Sequence, residues 1–193
     1  MTIIEIVSDS ISVHKMILAD KILLERIQIA ADVCVKSLQN DGKILLCGNG
    51  GSASDAQHIA AELSGRFNYD RPPLYAEALH VNTSYLTAVA NDYHFDQVYS
   101  RMVLAAGRKD DVFIGISTSG NSANVVNALE TAKKIGMKTI AFTGSGGGKL
   151  SSSEILLNVP STNTARIQEI HILIGHIICE LIEKTLFPKD EGL

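Results

Sequence analysis

The 193-residue chain has no cysteine pair: Cys34, Cys47 and Cys179 are odd in number and far apart, with no Cys-x-x-Cys spacing. That excludes a disulfide framework, a chelating pair and a dithiol redox centre, and reads as three reduced core residues of a cytoplasmic protein. There is no basic excess either. The net charge of -4 gives no broad attraction to a nucleic-acid backbone or an anionic membrane. No apolar run reaches the roughly 18 residues that cross a bilayer, and the longest is interrupted by His171 and His176. No basic leader precedes the apolar residues of "MTIIEIVSDS", which carries Glu5 and Asp9, unlike an export signal. Neither nucleic acid nor a membrane is an expected partner.

What is present is apolar material. Hydrophobic residues make up 46 % of the chain, enough for one domain with a full core and in keeping with some apolar surface covered by a partner copy. From Ser10 to Leu38 apolar residues recur at helical spacing without an internal Gly or Pro, which predicts a helical arm closed by Asp41-Gly42. Short apolar runs at Lys43–Cys47, Leu74–Ala78, Val112–Ser117, Lys138–Thr143 and Ile155–Val159 read as strands covered on both faces. Between them, helices are predicted after the first Gly-rich turn, after Thr83, after Phe95 and over Ala123–Ile135, where Gly136 is the C-cap, with a last helix over Thr164–Thr185. Strands alternating with helices predict an α/β fold, an open parallel sheet flanked by helices.

In such sheets ligands bind beyond the carboxyl ends of the strands, and two loops there are unusual. "STSGNS" offers Ser117, Thr118, Ser119 and Ser122 with no cation. Hydroxyls beside a helix N-terminus suit a phosphate, whereas the plainer alternative is a helix cap, which needs only one of them. "CGNGGSASDAQH" lacks both the Lys-Ser/Thr of a P-loop and the timely acidic residue of a dinucleotide site, so no nucleotide cofactor is expected. It leaves Asn49 and Ser52 facing a polar ligand, with Ser52 or Ser54 as N-cap. His58 and Glu62, spaced i, i+4, share one face of the helix that follows; they are either a surface pair or, in a helix this apolar, a functional one. On the last helix Glu169 is nearly in line with His176, whereas Gln168 is rotated from it by about 80°. Glu169 also suits an ion pair with Arg166.

Four segments, "CGNGGSASDAQHIAAELSGRF", "AVANDY", "GISTSGNSANV" and "ARIQEIHILIGH", occur in an order and spacing that resembles the bacterial sedoheptulose-7-phosphate isomerases (phosphoheptose isomerases) of the sugar-isomerase, or SIS, superfamily. The resemblance covers nearly the whole chain. It implies a three-layer fold with a five-stranded parallel sheet, an N-terminal helical arm for oligomerisation (1–40) and a SIS domain (41–193) in one structural unit. A homotetramer with active sites shared between subunits is also implied, as is the first step of ADP-heptose synthesis for the cell envelope. Carried over by position, Glu62 is the catalytic base and His176 the opposing acid/base. Asn49, Gly50, Gly51, Ser52, Glu62, Asn91, Asp92, Ser117, Thr118, Ser119, Ser122 and Gln168 surround the phosphosugar, and His58, Glu62, Gln168 and His176 hold zinc. That set takes Gln168 where single-helix geometry points to Glu169. Two departures stand out: His94 replaces a common glycine, and the ending "TLFPKDEGL" is similar to a non-catalytic branch of tetramers that bind the replication initiator protein. That branch replaces the helix glutamate and the last-helix histidine, both present here.

Overall fold

The sheet alternation that the sequence predicts is visible residue by residue. In the computed structural model, which describes residues 2–189, five strands run parallel: β1 (Ile44–Cys47), β2 (Ala76–Ala78), β3 (Val112–Ile116), β4 (Lys138–Thr143) and β5 (Ile155–Asn158). Their order across the sheet is β2-β1-β3-β4-β5. Ile44, Leu46, Val112, Ile114, Ile140 and Phe142 enter one hydrophobic core. Leu45, Cys47, Phe113 and Ala141 enter the other. A period of two with both faces buried is what a parallel sheet between two helical layers requires.

One layer holds α2 (Lys21–Gln39), α3 (Gly51–Ser64) and α7 (Thr164–Leu186); the other holds α4 (Thr83–Asp92), α5 (Val98–Ala106) and α6 (Ala123–Ile135). Gly136 closes α6 in the left-handed region at φ 87°, as expected of a C-cap. The expected uninterrupted arm is instead two helices. α1 (Ile3–Ala19) starts earlier, on a Thr2/Glu5 capping box. Asp20 then ends it and starts α2, its N–H donating to the carbonyls of Met16 and Ile17 while its carboxylate accepts from the Leu23 N–H. An aspartate that satisfies both helix ends breaks the arm without Gly or Pro. α2 shares the sheet's own core through Leu23, Ile27, Ala31 and Cys34.

The chain leaves β1 toward β2 on one side and returns to β3 on the other, so the loops after β1 and β3 flank the point where strand order reverses. This is the crevice such sheets offer a ligand. All three thiols are buried and free, and burial pushes each well above its ordinary range, Cys179 to about 12.

Candidate active site

α3 and α7 lie side by side and run in the same direction, an arrangement made possible by two glycines. A Cβ on Gly51 would stand 2.5 Å from Gln168 Nε2, and one on Gly175 would stand 2.5 Å from Ile59 Cδ1. Further along, Phe67 and Asn68, just beyond α3, meet Glu183 of α7. With the helices this close, three side chains separated by up to 118 positions converge. His58 Nε2 is 3.0 Å from His176 Nε2 and 3.2 Å from Glu62 Oε1. A nitrogen-to-nitrogen contact of that length needs one ring to donate and the other to accept, so at least one imidazole is neutral.

The ligand atoms of His58, Glu62 and His176 all lie within 4.8 Å of one another. Two imidazoles and a carboxylate are the donors of a catalytic zinc site, and tetrahedral bonds of about 2.0–2.1 Å place ligand atoms roughly 3.3 Å apart, so the trio fits the ion. Of the four expected metal ligands the chain gathers these three. Gln168 lies beside Gly51, eight residues and about 12 Å of helical rise before His176. Glu169, the alternative that helix geometry favoured, is occupied elsewhere: it pairs with Arg166 at 2.5 Å and accepts from Ser10 Oγ at 2.7 Å, docking α1 onto α7.

The hydroxyl loop after β3 is folded on itself. Ser117 Oγ lies 2.9 Å from Ser122 Oγ and 3.4 Å from Ser119 Oγ. Ser122 occupies the N-cap of α6, yet its side chain caps nothing. The hydroxyls are therefore pooled at a helix N-terminus, where an anion would collect them. Thr118 is fixed by its carbonyl, which accepts from the Gly144 N–H. In the first loop neither Ser52 nor Ser54 caps α3; Gly50 takes that position at φ 56°, Ser52 is buried, and Ser54 Oγ turns back to the Gly50 carbonyl at 3.4 Å. A left-handed N-cap favours glycine and leaves no side chain in the way of an approaching ligand. Asn49 exchanges two amide hydrogen bonds of 2.9 Å with Asn124 of α6, tying the two loops together. Asn91 and Asp92 sit exposed at the end of α4, bonded to each other at 2.9 Å.

Three residues around this constellation escape a reading of motifs. Asn124 is the cross-loop partner just described. Tyr99 donates to the Gly48 carbonyl at 2.5 Å and supports the first loop from α5. Asp55, one turn before His58, buries Oδ2 without a partner; desolvation pushes its carboxyl up to about 6, against the lowering influence of His58. A polar residue at i−3 from His58 on a helix this apolar was the available signal for Asp55. Nothing local marks the other two.

A family model described as "SIS domain" matches residues 13–144. A phosphoheptose isomerase from Sulfurimonas denitrificans is 49 % identical over 184 residues, 95 % of this chain and 94 % of that protein. Among solved structures, the phosphoheptose isomerase from Neisseria gonorrhoeae superposes with a TM-score of 0.87 at 49 % identity, covering 94 % of this chain and 97 % of that one. The phosphoheptose isomerase from Francisella tularensis superposes at 0.88 and 41 % identity, covering 95 % and 100 %.

Proposed function

The chain belongs to the SIS-domain family, and from that premise we propose that it is a phosphoheptose isomerase: it converts sedoheptulose 7-phosphate to D-glycero-D-manno-heptose 7-phosphate, the first step of ADP-heptose synthesis for the cell envelope. The observation that carries the reading is the convergence of Glu62, His58 and His176 on the α3/α7 pair, with the loop that opens α3 tied by Asn49 to Asn124 at the start of the helix that follows the hydroxyl loop. Two helical turns, about 10 Å, separate Gly51 at the loop from His58. That spacing suits a phosphosugar too long for a triose, gripped at one end and reacted at the other.

In the proposed mechanism Ser117, Thr118, Ser119 and Ser122 hold the phosphate, while Asn49, Gly50, Gly51, Ser52 and Gln168 line the sugar, joined by Asn91 and Asp92. Glu62 removes the proton from C1 of the ketose; the C1–H electron pair forms the C1=C2 bond of the enediol as the carbonyl oxygen accepts a proton from His176. Glu62 then returns its proton to C2, and His176 recovers one from the C1 hydroxyl as the aldehyde forms, so the cycle closes without a net proton. The expected metal is zinc, held by His58, Glu62 and His176, and the family's fourth ligand, Gln168, lies too far along α7 to join them within one subunit, so it would come from a neighbouring copy; when bound the ion would supply Lewis-acid polarisation of the sugar oxygens. A carboxylate has two oxygens, so Glu62, with Oε1 toward His58, can hold an ion through one and offer the other to a carbon acid.

The assembly we propose is a homotetramer with shared sites, residues 1–40 forming the oligomerisation arm and 41–193 the SIS domain, in the cytoplasm, where three unpaired thiols are at home. Ile3, Ile4, Leu18 and Ile22 are exposed on the two arm helices, which supports burial by other copies. The distinguishing experiment offers five-, six- and seven-carbon ketose phosphates to the purified protein beside a pull-down with the replication initiator. Preferred turnover of the seven-carbon substrate is expected. No turnover with initiator capture would instead assign the chain to the non-catalytic branch that its ending resembles, the last part of which, 190–193, lies outside the described residues.

A further inference from the structure

The segment between α3 and β2 holds none of the residues given chemical roles above, yet two buried charges in and beside it touch both halves of the proposed site. Arg71 is 8 % exposed and Glu183, on α7, is 0 % exposed. Arg71 Nη2 donates to the backbone carbonyl of Glu62 itself at 2.7 Å. Its Nη1 reaches the carbonyls of Leu63, Gly65 and Pro72 at 2.7, 3.0 and 3.1 Å. The last carbonyls of a helix lack partners and carry partial negative charge. One guanidinium therefore closes the end of α3 at the turn from which the Glu62 side chain projects.

Glu183 does the corresponding work from α7. Its Oε1 lies 3.3 Å from Arg71 Nε, and its two oxygens accept from the N–H groups of Phe67 at 3.2 Å and Asn68 at 2.8 Å. Those bonds hold the Phe67 ring 5.6 Å from the ring of His176. A buried ion pair gains little stability over well-packed apolar residues, because both charges must be desolvated. Here each charge is instead spent on main-chain atoms that aim a functional side chain.

We propose that Arg71 and Glu183 are a positioning pair for the acid/base couple, setting Glu62 through its own carbonyl and His176 through Phe67; the inference rests on the isomerase reading. A planar fork is needed to gather carbonyls in several directions, which a lysine ammonium does not provide. Outer-shell partners of this kind are worth about 10- to 100-fold in activity or metal affinity.

The test compares Arg71→Lys, Glu183→Gln and Phe67→Leu with the wild type for kcat, KM, melting temperature and affinity for zinc added to the chelator-treated protein. The expected result is a kcat lowered about 10- to 100-fold in Arg71→Lys and Glu183→Gln, with KM within about twofold because the phosphate is held at the other end of the site. Zinc affinity falls in parallel, and protein that melts above the assay temperature still shows both losses. Variants that only melt earlier, with full kcat and unchanged zinc affinity, overturn the proposal and leave a structural staple. If the charge variants do not fold, Phe67→Leu, which keeps both charges, decides alone: unchanged kcat and zinc affinity there overturn it. A wild type without turnover removes the isomerase reading, and the zinc affinities of the same variants then still report whether the pair aligns the trio.

Discussion

Glu62 is the residue on which the chemistry turns. It is partly buried, one of its oxygens lies against His58, and the helix end beneath it is closed by a guanidinium. Glu62→Gln keeps the volume and removes the base, so kcat should fall by about 10²- to 10⁴-fold, with far-ultraviolet circular dichroism and subunit assembly unchanged. Retention of more than a few per cent of the wild-type rate would assign the proton transfer to another group. At this scale the sequence is informative where residues act within one stretch: the i, i+4 relation of His58 and Glu62 and the run of hydroxyls from Ser117 to Ser122 both survive folding as local facts. It is silent where a role depends on a distant partner. The pairing of Asn49 with Asn124, the support of Gly48 by Tyr99 and the grip of Arg71 on Glu62 are each made by loops and helices whose meeting is set by the whole sheet. Helix periodicity even favours Glu169 over Gln168; the Arg166 ion pair that the sequence also offered Glu169 is the role it takes, and only its second partner, Ser10, was beyond a local reading.

Among the elements, the α3/α7 contact and the α7/β4 contact each carry a prediction. Gly175→Ala pushes a methyl group into the stiff Ile59 side chain. Overpacking costs about 1–3 kcal/mol, less a helix-propensity gain of up to about 1. A net loss of up to about 2 kcal/mol lowers the melting temperature by up to roughly 8 °C in a chain of this length, and the widened helix pair separates His58 from His176, so kcat should fall with it. His171 is fully buried in α7 and its Nε2–H donates to the Thr143 carbonyl at 3.2 Å, while Nδ1 lacks a partner. Burial pushes its pKa down to about 4, only partly opposed by that hydrogen bond. A lowered folded-state value means the unfolded chain binds the extra proton first. The stability that neutral His171 contributes is whole above about pH 6.5, declines as pH falls, and is lost, to the extent of about 3 kcal/mol, by pH 4. His171→Gln should flatten that part of the stability–pH curve measured by denaturant titration; an unchanged slope would mean other groups produce it. The break of the arm at Asp20 belongs to this scale too. It was legible only to a reading that weighed side-chain capping above the absence of Gly and Pro.

For the whole molecule, the fold class and strand count follow from alternation that any parallel sheet imposes, which is why five apolar runs suffice to read it. The open sides of the site do not follow from one chain. His58 is about half exposed, Asn91 and Asp92 face outward, and the arm presents isoleucines to water, so specific activity should fall on dilution below the point where light scattering detects dissociation. A dissociated subunit with full activity would exclude shared sites. The burial of all three cysteines has a further practical outcome. With no thiol exposed and each proton held tightly, a thiol-modifying dye at neutral pH can label the folded subunit only as often as it transiently opens, and the labelling rate becomes a clock for that opening.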